Sequence, residues 1–347
     1  MSSCEPEVLP AWVPEDHVLM MGEVRTGLLQ NTVQISLPAC EDVLNLMAGE
    51  RVLTSRRPIP RADSPDVLTG VDCALATASG ARVRGVGTVV SHAAITGGRV
   101  LQTSSYARLA PSAVNRRMPW SHYLATPGVV EVLGRPRWAD LAAGFSAPAV
   151  PHGRLDFGAI SERLMDAVQA SPHLDRQAPF RAARTRLRWV IATKEEDALD
   201  IHLVLVNDTV RTLRLAGDPA NAVVAFCEDL ALHDWLLTTV DALTERAFIG
   251  SAPPAEVAAR LAPAIDHLLH LWMPAARMDD SVLHFWEQLE RKPGFGRQWR
   301  SSVDRIRDQV ASNTLSLLSL MARDRRDSDE RKSPRRAECG GNVKSPP

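Results

Sequence analysis

The sequence predicts an α+β protein: a β-rich N-terminal half with short helices, a helix with a three-stranded antiparallel meander, then a C-terminal helical bundle. Three observations carry that expectation. Residues 81–90 (ARVRGVGTVV) and 96–109 (TGGRVLQTSSYARL) are β-rich runs around Thr96-Gly97-Gly98, the pattern of an antiparallel hairpin. Residues 155–170 repeat apolar positions at helical spacing, with Phe157, Ile160, Leu164, Ala167 and Val168 on one face. From Pro219 onward the period stays helical, broken at Gly250 with Pro253-Pro254, at Pro274 and at Pro293-Gly294.

Element by element, residues 1–17 read as an irregular arm, acidic and proline-bearing. Two extended pieces are expected between 19 and 37, punctuated by Gly22, Gly27 and Asn31. A short helix follows Ser36 and Pro38 over 38–48, closed by Gly49, and 51–56 reads as a strand. Gly85 and Gly87 inside a strand-like run mark a bulge or a close backbone approach. Short helices are expected near 119–125 and 136–144, then a linker over 144–154. Strands follow at 184–193, 199–206 and 209–216, the last two joined by Asn207-Asp208, a pair suited to a tight turn. Helices are expected near 219–248, 255–273, 281–291 and 295–322. In the last, Phe295, Trp299, Val303, Ile306, Val310, Leu317 and Met321 share a stripe. Residues 323–347, charged and then rich in Ser, Pro and Gly, read as a disordered tail. The corresponding domain plan is a β-rich unit over 18–150 and a helix, meander and bundle over 151–322.

The 347 residues carry 40 Lys+Arg and 41 Asp+Glu. That balance argues against a surface tuned as a whole to nucleic acid or to acidic membranes, and leaves room for a local basic patch. Arginine greatly outnumbers lysine, as in genes of high GC content, so an Arg in place of Lys carries little functional information. Cys4, Cys40, Cys73, Cys227 and Cys339 form no Cys-x-x-Cys pair, which points to neither a disulfide framework nor a zinc site, but to a reducing compartment. The N-terminus lacks a basic stretch followed by an apolar one, so it does not read as a signal peptide. No run approaches the ~20 apolar residues a membrane-spanning helix needs. A cytoplasmic location is the expectation.

The segments GEVRTGLLQN (22–31), LTGVDC (68–73), ASGARVRGVGT (78–88), FCEDLALHDWLLTT (226–239) and DHLLHLWMP (266–274) resemble an uncharacterised family of actinomycete proteins. Members of that family are encoded beside a putative methyltransferase and a variant P-loop protein. The resemblance spans most of residues 20–320. It implies an accessory member of a multi-gene system with a protein partner encoded nearby, and it transfers no activity, cofactor or functional residue.

Candidate chemistry is sparse. Asp229 and His233, spaced i, i+4, share a helix face with Ala222, Phe226, Leu236, Val240 and Leu243. A carboxylate and an imidazole in an apolar stripe are costly unless partnered. They are either a metal or acid–base pair, or a pair satisfying each other and nearby backbone. Asp266, His267 and His270 repeat the spacing but fall off the apolar face, as a wet surface cluster would. His233-Asp234 as a phosphohydrolase dyad lacks the further His from an earlier helix that such chemistry requires. Arg184, Arg186 and Arg188 alternate along a strand, which puts three guanidinium groups on one face, with Arg214 and His202 able to extend it. Such a face suits an anion or an acidic partner; it equally suits a solvated sheet face or pairing with the acids of a packed helix. A nucleophile reading would use Ser105 or Cys73 with His92 or His122. Gly85-Val86-Gly87 lacks the third glycine and following helix of a phosphate loop. Trp235, Trp272, Trp286 and Trp299, one to each expected C-terminal helix, read as core fillers. With no complete catalytic constellation, the sequence favours a non-enzymatic binding or adaptor protein. The alternatives are a metal- or nucleotide-dependent enzyme at Asp229 and His233, and an anion or nucleic-acid binder through Arg184, Arg186 and Arg188.

Overall fold

Strand β1 (Leu19–Leu28) is covered on both faces, and nine of its ten residues are buried. That is why its sequence does not alternate cleanly between apolar and polar positions. The computed structural model describes residues 19–135, 137–147, 153–192, 201–217, 220–248 and 252–332. The arm expected over 1–17 and part of the expected 144–154 linker lie outside the described residues. β1 pairs antiparallel with β6 (Val100–Pro111) on one side and with β8 (Thr185–Ala192) on the other. One ten-stranded sheet thus runs across the boundary expected at 150.

β5 (Val83–Thr96) and β6 form the expected hairpin. Gly97 and Gly98 both sit at positive φ, 58° and 57°, a conformation that strains other residues. Arg99 N–H closes the turn on Thr96 O at 3.1 Å. Beyond Val90 and Tyr106 the hairpin splays, and β7 (Val129–Leu133) enters between the two strands, antiparallel to β5 and parallel to β6. A side chain at Gly87 would collide with the β7 backbone at Val129, so this glycine marks a close backbone approach, while one at Gly85 would meet the Leu75 and Val130 side chains. β4 (Val67–Leu75) and β3 (Arg61–Asp63) line the other edge of β5, and β2 (Leu53–Ser55) pairs with β3.

At the opposite end, β9 (Ile201–Leu205) and β10 (Val210–Ala216) form where the sequence places them, joined by a turn in which Asn207 Oδ1 accepts from Val210 N–H at 3.0 Å. Their order is not that of a meander. β10 lies between β8 and β9, parallel to β8 and antiparallel to β9. The inner position buries Leu213 and Leu215 and leaves β9, with Val204 and Leu205 exposed, at the edge.

One face of the sheet is covered by α4 (Phe157–Gln169), with α1 (Leu37–Leu44) and α3 (Trp138–Phe145) beside it. Asp156 caps α4, accepting from Ala159 N–H at 3.1 Å. α2 (Trp120–Leu124) packs on β5. α5 (Asn221–Arg246) covers the other face, and α6 (Pro254–His267), α7 (Asp280–Arg291) and α8 (Phe295–Lys332) pack on its outer side. α5 is therefore enclosed all round, with Phe226, Leu230, Trp235, Leu236 and Val240 fully buried. A helix wrapped on every side has no single apolar stripe. Trp235, Trp286 and Trp299 are buried, and Trp272 stacks on Trp299 with centroids 4.3 Å apart. α8 runs ten residues past the end expected at 322, to Lys332, so the segment expected as a tail begins helical; residues 333–347 lie outside the described residues. No described helix is long and apolar enough to cross a membrane.

Candidate functional site

The alternation of β8 does place Arg184, Arg186 and Arg188 on one face, and α4 covers that face. Opposite Arg188 across the ladder stands Glu23 of β1, 1% exposed. Arg186 holds this carboxylate with both arms of its fork, Nε–Oε1 at 2.7 Å and Nη2–Oε2 at 3.1 Å. Arg188 reaches it at 3.4 Å and donates to Ala147 O at 2.6 Å. Arg184 pairs with two acids of α4, Glu162 at 2.5 Å and Asp166 at 3.3 Å. Hydrogen bonding to Glu23 raises the Arg186 pKa, with burial opposing. A Cβ at Gly158 of α4 would overlap the Glu23 carboxylate, so glycine is what lets helix and sheet close over the cluster. The three guanidinium groups neutralise the chain's own acids instead of presenting an open anion-binding face. Glu23 is the partner that strand periodicity did not announce.

Asp229 and His233 close on backbone. His233 Nε2 accepts from Met273 N–H at 3.2 Å, which leaves Nδ1 as the donor to Asp229 O at 2.7 Å. Asp229 Oδ2 lies 3.3 Å from Nδ1 and accepts from Ala275 N–H at 3.1 Å. The imidazole is 1% exposed and meets Trp272 and Trp286 edge to face. The pair latches the segment leading into α7 onto α5, and both ring nitrogens are occupied. Among the described residues no group of three or more His, Cys, Asp or Glu is arranged to hold a metal ion. Asp234 turns away from His233 and meets Arg211 of β10 at 3.0 Å.

The neighbouring residue, Glu228, faces the sheet and organises a cluster the sequence did not reveal. His92 of β5 places Nε2 at 2.6 Å from Glu228 Oε1, and Arg61 of β3 places Nη2 at 2.9 Å from Oε2. Asp63 shares Arg61 at 2.7 Å, and Asp66 approaches His92 Nδ1 at 3.6 Å. Burial opposes both charges. The His92 and Arg61 charges outweigh it and hold the Glu228 carboxyl at about 2. In turn, Glu228 raises the His92 pKa against desolvation.

The remaining candidates are separated. Ser105 Oγ is bonded to Ser91 Oγ at 2.8 Å and Ser161 Oγ at 2.9 Å in the α4 interface. Burial and the nearby Asp72 push the Cys73 thiol up, away from the reactive thiolate. His122 Nε2 lies 2.5 Å from the buried Glu131. Of the expected surface cluster Asp266 and His270 are exposed, while His267 is half-buried and stacks on Phe180 with ring centroids 6.0 Å apart.

A group of exposed arginines stands at the β4–β5–β7 end of the sheet. From Ala76 to Ala139 the chain carries eight arginines and one acid, the buried Glu131, a bias visible in sequence; Arg99 is buried at the far hairpin turn and Arg108 is half-buried, which leaves six of the eight exposed. Arg84 and Arg117 share Asp72 at 2.6 and 2.9 Å, yet remain 55% and 45% exposed. The Arg117 guanidinium lies over the Trp120 ring, 5.7 Å from its centroid, and Trp120 sits on Gly70 of β4, where a Cβ would press against the ring. Asn115 Oδ1 accepts from Gly134 N–H at 2.5 Å, bringing exposed Arg116 and Arg135 to the same end. Val114, Leu68 and Leu124 are exposed around them.

Fold and site together define an α+β protein in which the charges named above as candidates are paired inside the fold, while a group of exposed arginines stands at one end of the sheet. The chain matches no protein-family model, no curated protein and no solved structure.

Proposed function

We propose that the protein is a non-enzymatic binding or adaptor protein that docks an acidic, partly apolar segment of a protein partner on the face around Arg117 and Trp120. One observation carries the reading: two half-exposed guanidinium groups share a single carboxylate beside Trp120, 38% exposed, and Leu124, 56% exposed. Tryptophan and arginine dominate the energetics of protein interfaces. The exposed aliphatic side chains Leu68, Val114 and Leu124, each within four residues of Gly70, Arg117 or Trp120, favour a protein segment over nucleic acid, whose backbone makes no use of them. On the same reading the protein works in the cytoplasm as an accessory member of an actinomycete multi-gene system, with its partner encoded nearby; the resemblance of residues 20–320 supports this.

The test is a comparison of wild type with Arg84→Glu/Arg117→Glu in pull-downs from the native host. The reversal sets two carboxylates beside Asp72, so Arg84→Gln/Arg117→Gln serves as the uncharged control, and a thermal melt checks that each variant is folded. The expected result is a partner retained by wild type, lost from the double variant, and rebound through an acidic segment supplied as a synthetic peptide. Equal retention by both proteins, or steeply salt-dependent binding to single-stranded DNA in place of a protein, overturns the proposal.

A further inference from the structure

We infer that the resident occupant of the Arg117–Trp120 face is the chain's own N-terminal segment, residues 1–18, which a partner must displace. The inference rests on the docking reading above and deepens it. Three observations point to it.

The first is charge. Residues 1–18 contain Glu5, Glu7, Glu15 and Asp16 with no Lys or Arg, and they carry Val8, Leu9, Trp12 and Val13 between the acids. This is the chemistry the face demands: carboxylates for Arg84 and Arg117, apolar side chains for Trp120 and Leu124. The second is where the segment meets the fold. Leu19 opens β1 opposite Leu109, and Leu109 is paired with Val130 of β7 on its other side. Two residues on, β6 ends at Pro111, and the chain passes into the loop that carries Arg116 and Arg117. The segment therefore joins the sheet at the end where the arginines lie. The third is reach. From β1 to β4 is four strand steps through β6, β7 and β5, about 19 Å at the usual strand spacing, whereas 18 residues extend to roughly 60 Å. A tethered segment is present at an effective concentration of about 1 mM, so even a weak contact is populated.

The test uses the full chain in two forms, wild type and a variant with Glu5→Gln, Glu7→Gln, Glu15→Gln and Asp16→Asn. Neither form alters a residue from Leu19 onward. A fluorescent peptide of residues 1–18 is titrated into each, and amide exchange is followed over residues 112–124. The neutralised variant is expected to bind the peptide at least tenfold more tightly than wild type, whose face is already filled. Exchange over 112–124 should be faster in the variant, and both effects should weaken as salt is raised. Adding Arg84→Glu/Arg117→Glu to the variant should abolish peptide binding. Equal peptide binding and equal exchange in the two forms overturns the inference, as does binding that survives the arginine reversal. A concentration-dependent dimer in wild type alone also overturns it, by assigning the segment to a second copy. Failure here with a partner still captured through Arg84 and Arg117 leaves the docking reading intact. Loss of that capture dependence is what removes the docking reading.

Discussion

Glu228→Gln keeps the shape of a side chain and removes its charge from the middle of an ion cluster. The folded protein holds this carboxyl at about 2 against an ordinary 4.5; burial alone would raise it, and the His92 and Arg61 charges reverse the sign. A displacement of that size amounts to about 3 kcal/mol in favour of the carboxylate over its neutral form. Removing one partner of a buried ion pair costs about 3–5 kcal/mol, a comparable figure. Glu228→Gln is therefore expected to lower the unfolding free energy by about 3 kcal/mol near neutral pH. The sign of the pH dependence follows from the two groups separately. Glu228 has a depressed folded value, so its contribution is complete above 4.5 and is lost as the pH falls towards about 2. His92 has a raised folded value, so its contribution is complete below 6.5 and is lost as the pH rises through the folded value. The gap between wild type and variant should be widest between those limits, at about pH 5–6. Urea unfolding followed by tryptophan fluorescence, repeated across pH, measures it, and the His92 ring resonances should titrate lower in the variant. Equal urea midpoints at pH 6, or a gap that widens steadily into alkali, would refute the assignment of Glu228 as the centre of the cluster.

Gly158→Ala drives a methyl group into the Glu23 carboxylate and should cost about 3 kcal/mol, as overpacking does. Denaturant midpoints should recover in part when Glu23→Ala is added; full additivity of the two changes would count against the close approach. His233→Ala removes the acceptor for Met273 N–H and should cost about 2 kcal/mol, with faster exchange at Met273 and Ala275. The melting temperature of wild type should not respond to zinc or to chelator, and a metal-dependent shift that the variant loses would defeat the latch reading.

How much of this was legible in sequence depended on whether a side chain's partner lay nearby in the chain. The α+β class, the Gly97-Gly98 hairpin and the helical C-terminal half follow from local periodicity and turn chemistry, and they are present. The order of the last strands was not legible, because β9 and β10 both alternate apolar with polar or exposed positions, and only the burial of Leu213 and Leu215 in the core decides which is inner. Asp229 and His233 were visible as an unusual pair in an apolar helix. Their partners, Met273 and Ala275, lie 40 and 46 residues away. Glu228, one position along, carries no such signal. On a helix enclosed on all sides, no face is distinguished by hydrophobicity, and His92 and Arg61 are 136 and 167 positions distant.

The two ion clusters also explain how a sheet buried on both faces keeps its register. Glu23 stands opposite Arg188, and Arg186 lies two residues along on the same face. A slip of one residue between β1 and β8 would turn both guanidinium groups towards the side of Leu187 and Trp189, among the apolar residues under α5, and leave buried Glu23 with only Arg25 of its own strand, at 3.5 Å, for a partner. The cost of that error, several kcal/mol for an uncompensated buried charge, exceeds what any single apolar contact could enforce. Glu228 acts likewise on the opposite face, fixing α5 against β3 and β5 through Arg61 and His92. Charges committed in this way are unavailable for recognition, since each is already neutralised inside the fold. The proposed docking therefore rests on arginines that share an exposed acid, Arg84 and Arg117 over Asp72, and not on the buried clusters.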